Sequence, residues 1–329
     1  MAEYREIQGA AVQSLASSTG TIEGQIWYDN VNGAFKLESY QADSVATSGN
    51  VNTARTQLGG VGTLTAGVIF GGESPALTAA TENYDGSTWT SSGSAPVAKS
   101  DMHSSGTQTA ALWGGGSPSS SGSFEYDGST WTAGGNMTFA GRDFYSGSAG
   151  TQGAALQIGG FISPGTYSAV MQNYDGTSWA NIPQSYPSAP QTNQIATTGT
   201  QTSCISSGGS AGTPDQTQSQ TWDGSSWTAV NSLATGIRSA VASGTVGAGT
   251  LISGSPPSNP PYYDPGIQIW DGTCWALSPA TLSVGRSQAA GGGGTGAAYV
   301  ASGSDDVSYT NTTEIFTPAG AVTQTISSS

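Results

Sequence analysis

The feature that most constrains the fold of this chain is an internal repeat built around a short Asp-Gly segment. The stretch Tyr84–Trp89 reads YDGSTW and recurs unchanged as Tyr126–Trp131. Three related copies begin at positions 174, 222 and 270, so the interval is 42 residues once and 48 residues three times. Repeats of about 20–50 residues are typical of solenoids and propellers, in which each copy is one supersecondary unit that packs against its neighbours.

Two further features keep step with this segment. Each unit has a Gly-Thr pair, as at Gly62 and Gly106, followed by an apolar run that ends in small residues. A basic residue opens five of the six units, and the fourth unit has Thr192 near that place. The basic residues are Arg55, Lys99, Arg142, Arg238 and Arg286. Because they repeat with the scaffold, we expect them to serve the scaffold rather than a catalytic site.

Each unit predicts four short strands. Asp-Gly between β-forming residues favours a tight hairpin, and the aromatic residues on either side of it can meet across the two strands. A helical apolar period is absent, and glycine, at 49 of 329 residues, is too frequent for helices. Radial repetition of four-stranded units makes a β-propeller, whose innermost strands line a narrow channel and therefore carry small residues.

The sequence thus predicts an all-β fold, a six-bladed and kelch-like propeller over residues 52–329. The predicted units are 52–98, 99–141, 142–190, 191–237, 238–285 and 286–329. The tryptophans after the turns are expected to form the core between blades, since each buries ~150–250 Å², and the aspartates to cap the turns. The residues given these structural roles are Tyr84, Asp85, Trp89, Tyr126, Asp127, Trp131, Tyr174, Asp175, Trp179, Asp223, Trp227, Asp271 and Trp275.

Residues 1–51 stand outside these units. They contain one predicted hairpin, because Asn32-Gly33 is a strong type I′ turn signal. The hairpin is similar to the outer half of a blade, which leaves two alternatives. It is either an incomplete seventh blade or an N-terminal arm that docks on a neighbouring protein.

The order of basic residue, Gly-Gly doublet, Tyr-Asp and Trp resembles the kelch family of β-propellers over residues 52–329. Within it, Asn52–Arg55, Gly106–Leu112 and Trp222–Trp227 resemble stretches of tail and virion proteins of marine bacteriophages. Gly24–Asp29 and Asn32–Lys36 are similar to an N-terminal element of such proteins. The resemblance implies a virion structural protein of a tail or tail fibre, assembled in the host cytoplasm, that takes part in host attachment. Its N-terminal arm would bind other virion proteins.

Two other functions stay open at this point, a capsid-decorating or scaffolding virion protein without a receptor and a carbohydrate-active enzyme. Kelch-like copper oxidases need several imidazole ligands, and His103 is the only histidine. Sialidases clamp a carboxylate with clustered arginines, whereas the basic residues here follow the repeat. Asp305-Asp306 is the one adjacent acidic pair and is expected in a solvated loop. We therefore expect no enzyme, no cofactor and no metal.

Composition excludes other partners. With 7 basic against 21 acidic residues and a net charge of −14, the chain lacks the clustered basic residues that nucleic acid requires. Acidic membrane surfaces are disfavoured for the same reason. No apolar run is long enough for a transmembrane helix, and the first residues lack the apolar core of a signal peptide. Cys204 and Cys274 have no CxxC spacing, so we expect two small apolar side chains rather than a disulfide or a zinc site.

Variation between units indicates where recognition could occur. The loop between the second and third strands lies on the face opposite the Asp-Gly turns, and its length differs from unit to unit. The longest, PPSNPPYYDPG, spans residues 256–266. Its tyrosines could stack on a host cell-surface glycan or protein; local packing is the alternative. The candidate recognition residues are Pro256, Pro257, Tyr262, Tyr263 and Asp264. The loop at 161–172 is the second candidate.

Overall fold

The computed structural model describes residues 13–15, 25–138, 142–143, 147–162, 166–187, 194–210, 216–256, 263–305 and 307–326. Within these ranges the regular structure consists of strands, and no helix is long and apolar enough to cross a membrane. The chain divides into two compact units, Val45–Thr317 and a smaller one formed by Met1–Ser44 with Pro318–Ser329.

The strands before the first blade are β1 (Gln13–Leu15), β2 (Ile26–Asp29), β3 (Ala34–Gln41) and β4 (Ser44–Ser48). Blade 1 contains β5 (Gly59–Thr63), β6 (Ala66–Phe70), β7 (Thr81–Tyr84) and β8 (Trp89–Ser92). Blade 2 contains β9 (His103–Thr107), β10 (Ala110–Gly114), β11 (Ser123–Tyr126) and β12 (Trp131–Ala133). Blade 3 contains β13 (Arg142–Asp143), β14 (Gly147–Thr151), β15 (Ala154–Ile162), β16 (Thr166–Tyr174) and β17 (Trp179–Ser185).

Blade 4 contains β18 (Ala196–Thr200), β19 (Ser203–Ser207), β20 (Ser219–Trp222) and β21 (Trp227–Val230). Blade 5 contains β22 (Val241–Thr245), β23 (Ala248–Ile252), β24 (Ile267–Trp270) and β25 (Trp275–Leu277). Blade 6 contains β26 (Ala290–Gly293), β27 (Ala298–Ala301) and β28 (Thr313–Thr317). The last strand is β29 (Gly320–Ile326). Consecutive strands within a blade pair as an antiparallel meander, except that β13 and β14 of blade 3 both pair with β15. This confirms the six-bladed, all-β propeller predicted from the repeat.

Blade 6 closes the ring with a strand from the other end of the sequence. Its fourth strand is β4, which lies beside β28. The sixth repeat has lost its Asp-Gly turn, so the chain there does not return as an outer strand. The structure therefore differs from the predicted boundaries, because residues from Val45 belong to the propeller unit and those from Pro318 do not.

The smaller unit is a four-stranded sheet in the order β1-β2-β3-β29. Strands β2 and β3 form the hairpin expected at Asn32-Gly33, and Gly33 has the left-handed φ of 66° that such a turn requires. The Asp29 carboxylate accepts the backbone N–H of Val31 and Asn32 at 3.0 and 3.1 Å, which fixes the turn. The C-terminal strand β29 pairs with β3, so both ends of the chain build this unit.

The apolar core of the propeller lies between blades. Each of the six buried clusters combines side chains of two neighbouring blades. Between blades 1 and 2, for example, Phe70 packs against Trp113 and edge-on against Trp131, with ring centroids 6.2 and 4.9 Å apart. Because a single blade cannot bury its own faces, the ring of blades is the unit that folds.

Candidate functional site

The aromatic residues on either side of each Asp-Gly turn lie directly opposite one another across the outer hairpin. Tyr84 pairs in register with Trp89, and their ring centroids are 4.7 Å apart. The same pair recurs in blades 2 to 5 at 4.9, 5.0, 5.3 and 5.4 Å. Those pairs are Tyr126–Trp131, Tyr174–Trp179, Trp222–Trp227 and Trp270–Trp275. These rings are packed in the scaffold and do not offer a free stacking face.

The turn aspartates are occupied by their own turns. Asp85 Oδ1 accepts the backbone N–H of Ser87 and of Thr88, each at 2.8 Å. These hydrogen bonds stabilise the charged form, so the pKa of Asp85 lies well below its usual range. The pKa is lowered for the same reason at Asp127 and Asp175, and at Asp271. At Asp223 the hydroxyl of Ser225 is the first cause of the lowered pKa. The carboxylates are thus structural caps.

Three of the turn tryptophans connect neighbouring blades through hydrogen bonds from their indole N–H groups to hydroxyl groups. Trp131 Nε1 donates to Thr81 Oγ1 of blade 1 at 2.9 Å, and Trp89 Nε1 donates to Thr313 Oγ1 of blade 6 at 2.9 Å. Trp179 donates to the corresponding hydroxyl of Ser123 at 3.3 Å. In all three pairs the acceptor hydroxyl belongs to the first residue of the neighbouring blade's third strand.

Two of the repeated basic residues are buried and paired. Arg55 is fully buried, and its Nη2 donates to Glu82 Oε1 at 2.8 Å while Nη1 donates to the Ala80 carbonyl at 2.9 Å. Arg286 pairs in the same way with Glu314. In blade 2 the half-buried Lys99 donates instead to the Pro118 carbonyl. The buried arginines hold the connection into the blade, so they are not free to bind an anion.

A second repeated residue on the third strand was missed by sequence reasoning. Two residues before the outer turn aromatic stands Glu or Gln in five of the six blades, and Phe124 in blade 2. In blades 1, 3, 5 and 6 this side chain accepts the backbone N–H of the segment before the same blade's inner strand. Glu82 accepts from Asn52 at 2.8 Å, and Gln268 accepts from Ala234 at 2.9 Å. The full set is Glu82, Gln172, Gln220, Gln268 and Glu314. Their fixed distance from the turn aromatic is the sequence signal that could have identified them.

The central channel is lined by the inner strands. Its middle part consists of two overlapping cavities of about 150 and 180 Å³, bounded by Gly, Ala, Val, Ser and Thr residues with Leu58 and Ile195. The single histidine, His103, is buried at the start of β9 with 5% of its surface exposed, and it is not among the residues that line the channel. No group of three or more metal-ligating residues occurs within the ranges described above. The channel middle therefore offers no acid, base or metal ligand.

One end of the channel has a different lining. This mouth, a cavity of about 150 Å³, is bounded by Gln57, Asp101, Gln194, Ser239 and Gln288, each from the segment leading into an inner strand. The residue before four of these, all except Gln194 at the start of its described range, bridges to the start of a loop between second and third strands, as Arg238 does with Ser255. The mouth therefore opens on the face that carries those loops, which we call the loop face.

The candidate recognition loop lies on this loop face. Pro257 and Tyr262 fall outside the described residues, whereas Pro256, Tyr263 and Asp264 are half-buried. Asp264 Oδ1 accepts the N–H of Gly266 at 2.7 Å, and its backbone carbonyl accepts from Ser253 Oγ at 2.7 Å. Asp264 thus shapes the base of the loop.

The second candidate, the loop at 161–172, is not a loop. Strands β15 and β16 continue through most of it and pair up to Ile162 and Thr166, with a shift of register between Ile158 and Gly160. The hydrogen-bonded pairing of β15 with β16 continues past the end of the blade, so an extended hairpin stands where an irregular segment was expected. The sequence prediction was wrong here.

Comparisons with known proteins support the fold. No family model matches the chain, and no curated protein matches it. Among solved structures it is similar to one entitled "Structure of YjhT", with a TM-score of 0.66 and 12% identity. The match covers 84% of this chain and 99% of that one. At this identity the similarity extends to the propeller fold alone.

Proposed function

We propose that this chain is a non-enzymatic, kelch-like structural protein of a bacteriophage virion, located in a tail or tail fibre and engaged in host attachment. The observation that carries a binding role is the channel wall, which presents only uncharged side chains, most of them small, through its middle. Catalysis in a propeller would need titratable groups that converge on the channel. The loop face, in contrast, offers polar and aromatic residues on a rigid scaffold, which is the usual arrangement for recognition.

The assignment to a virion is supported by the stretches that resemble phage tail proteins, including Asn52–Arg55 and Trp222–Trp227. A surface with 9% charged residues suits an adhesin that must avoid nonspecific contacts. A capsid-decorating protein without a receptor is the second candidate. Such a protein would use the same propeller scaffold and would need no ligand.

The smaller unit is the proposed attachment point to other virion proteins. Its hairpin exposes Ile26, Tyr28 and Phe35 at 38, 36 and 40% of their surface. Tyr28 and Phe35 form an edge-to-face pair with centroids 5.3 Å apart. A double Tyr28→Ser, Phe35→Ser variant should fold its propeller normally and be depleted from purified particles. Undiminished incorporation would contradict this attachment role.

Immunogold electron microscopy of particles tests the function. Label at a tail or fibre tip is the expected result. Label over the head would favour the capsid-decorating candidate. Label on no particle would refute the virion proposal. A double Tyr262→Ala, Tyr263→Ala variant tests the loop at 256–266. Attachment to host cells equal to that of the parent would show that this loop does not take part in recognition.

A further inference from the structure

The hairpin of the smaller unit carries a chemically labile pair of residues. Asn32 precedes Gly33, and no other asparagine in the sequence precedes a glycine. Asparagine is a thermolabile residue, because the backbone nitrogen of the next residue can attack its side chain. Glycine obstructs that attack least, since it has no side chain. Both residues are exposed in the turn between β2 and β3, so solvent reaches them.

The reaction of such a pair needs no reagent other than water. The Gly33 nitrogen loses its proton to solvent and attacks the Asn32 Cγ atom. The new N–Cγ bond closes a cyclic imide, while the Cγ–Nδ2 bond breaks and the amide nitrogen leaves as ammonia. Water then opens the imide. Cleavage of the N–Cγ bond leaves aspartate at position 32, whereas cleavage at the main-chain carbonyl leaves isoaspartate, whose main chain runs through Cβ and Cγ.

Asp29 holds the reacting groups in the closed hairpin. The N–H of Gly33 donates to the Asp29 carbonyl at 2.8 Å, and Asn32 Nδ2 donates to Asp29 Oδ2 at 2.7 Å. The backbone N–H of Asn32 donates to Asp29 Oδ1 at 3.1 Å. The nucleophile and the leaving group must both give up a hydrogen bond to Asp29 before the imide can close. The reaction therefore proceeds through a local opening of the hairpin.

The products do not fit the closed hairpin. Aspartate at position 32 has no N–H donor, and it would place a second carboxylate beside Asp29 Oδ2, where like charges repel. Isoaspartate lengthens the main chain within the turn, so the register that pairs Asp29 with Ala34 would be lost. The next aromatic pair in that register is Tyr28 and Phe35. The modification would thus separate the exposed rings of the hairpin.

We propose that Asn32 is a deamidation site whose reaction opens the hairpin of the smaller unit, and that Asp29 holds the reaction back while the hairpin is closed. The modification runs in one direction, because its products disfavour the conformation that protects the asparagine. It rests on the proposed function only for its consequence. If the hairpin is the attachment point, deamidated chains are excluded from particles.

The test measures conversion of Asn32 in the purified full chain at neutral pH by peptide mapping with mass spectrometry. Conversion should be fastest in chain unfolded in urea. Asp29→Ala removes the carboxylate and keeps the main-chain carbonyl, so it should accelerate conversion roughly 10-fold, the effect of one hydrogen bond to a charged group. Asn231 is the internal control, since it is exposed, precedes Ser232 and lies in the propeller unit. Its conversion should be equal in both proteins.

Hydrogen exchange tests the effect of the product. Asn32→Asp reproduces the deamidated side chain, and Asn32→Ala removes the same donor without adding a charge. The amides of β2 and β3 should exchange faster in Asn32→Asp than in Asn32→Ala, and faster in both than in the parent. The amides of the inner propeller strands should exchange equally in all three proteins, which separates opening of the hairpin from unfolding of the chain.

Three results would overturn the proposal. They are an Asn32 that stays intact in urea, an Asp29→Ala variant that converts Asn32 no faster than the parent or accelerates Asn231 equally, and an Asn32→Asp hairpin as protected as that of the parent. The outcome for the virion function is separate. Conversion controlled by Asp29 in a protein that labels no particle would support the modification site and refute the virion function.

Discussion

The hydrogen bonds between the indole groups and the neighbouring blades give the sharpest stability prediction. Thr81 is 1% exposed, and its Oγ1 accepts the only indole proton of Trp131 at 2.9 Å across the interface of blades 1 and 2. Thr81→Val keeps the shape of the side chain and replaces the acceptor with a methyl group. The packing of Trp131 against Phe70 stays in place, so the change isolates one hydrogen bond.

The expected cost follows from burial of the orphaned donor. Leaving a buried N–H without its acceptor costs about 1–3 kcal/mol, and Trp131 is 9% exposed, which places it in the lower half of that range. The propeller unit Val45–Thr317 has an unfolding entropy of about 2.1 cal/mol/K per residue. A loss of about 1–2 kcal/mol therefore lowers the Tm by roughly 2–4 °C. Calorimetry and urea titration measure it.

Blade 4 provides the matched control. Ser219 occupies the register of Thr81, yet Ser219 Oγ and Trp275 Nε1 are both buried with no hydrogen-bond partner in the described part of the chain. Ser219→Ala should therefore change stability by less than about 0.5 kcal/mol. A double-mutant cycle of Thr81→Val with Trp131→Phe should give a coupling of about 1 kcal/mol. Equal costs for Thr81→Val and Ser219→Ala, or no coupling, would refute the reasoning.

Three further predictions concern charge and reactivity. Arg55→Ala should lower the free energy of unfolding by about 3–5 kcal/mol, because it leaves the buried Glu82 carboxylate without its partner. Lys99→Ala, at the same repeat position, should lower it by under about 1 kcal/mol. Equal losses of stability in urea titration would contradict this assignment of the difference to burial. The folded-state pKa of Asp127 is depressed, so the stabilisation that its carboxylate provides is complete above about pH 5 and is lost as the pH falls below the unfolded value near 3.9. The Tm of Asp127→Asn should therefore fall less steeply with decreasing pH than that of the parent. An equal dependence of Tm on pH would contradict the role of Asp127 as a turn cap. In the native protein Ellman's reagent should label only the exposed Cys274, because burial raises the pKa of Cys204 to about 12; two fast thiols would show that blade 4 opens.

The parts of the fold that repeat could be predicted from the sequence. Each Asp-Gly turn carries its own signal, since glycine supplies the positive φ and the aspartate caps the turn, as at Asp85-Gly86. The number of strands, the number of blades and the aromatic core could therefore be predicted from copies of one local pattern at intervals of 42 and 48 residues. The sequence pattern did not predict the structure at the point where the repeat ends. The partner of β28 is β4, and no local pattern in Ser44–Ser48 says which distant strand it will join.

The loop-face mouth could not be predicted for a related reason. Its residues differ in type, since Gln57, Asp101 and Ser239 stand at equivalent positions of the first, second and fifth units. Their shared φ and the bridges of the residues before them, as at Thr56 and Arg238, show that they are equivalent, and both are properties of the backbone. In a chain with 49 glycines, a left-handed position without glycine is where a side chain has been kept against a conformational cost. Where hydrogen bonds within the scaffold account for that side chain, as at Ser253, the position is structural. The same holds at Gln288, whose side-chain oxygen accepts from Thr56 Oγ1 at 3.1 Å, and at Asp101, whose carboxylate accepts from Ser100 Oγ at 3.3 Å.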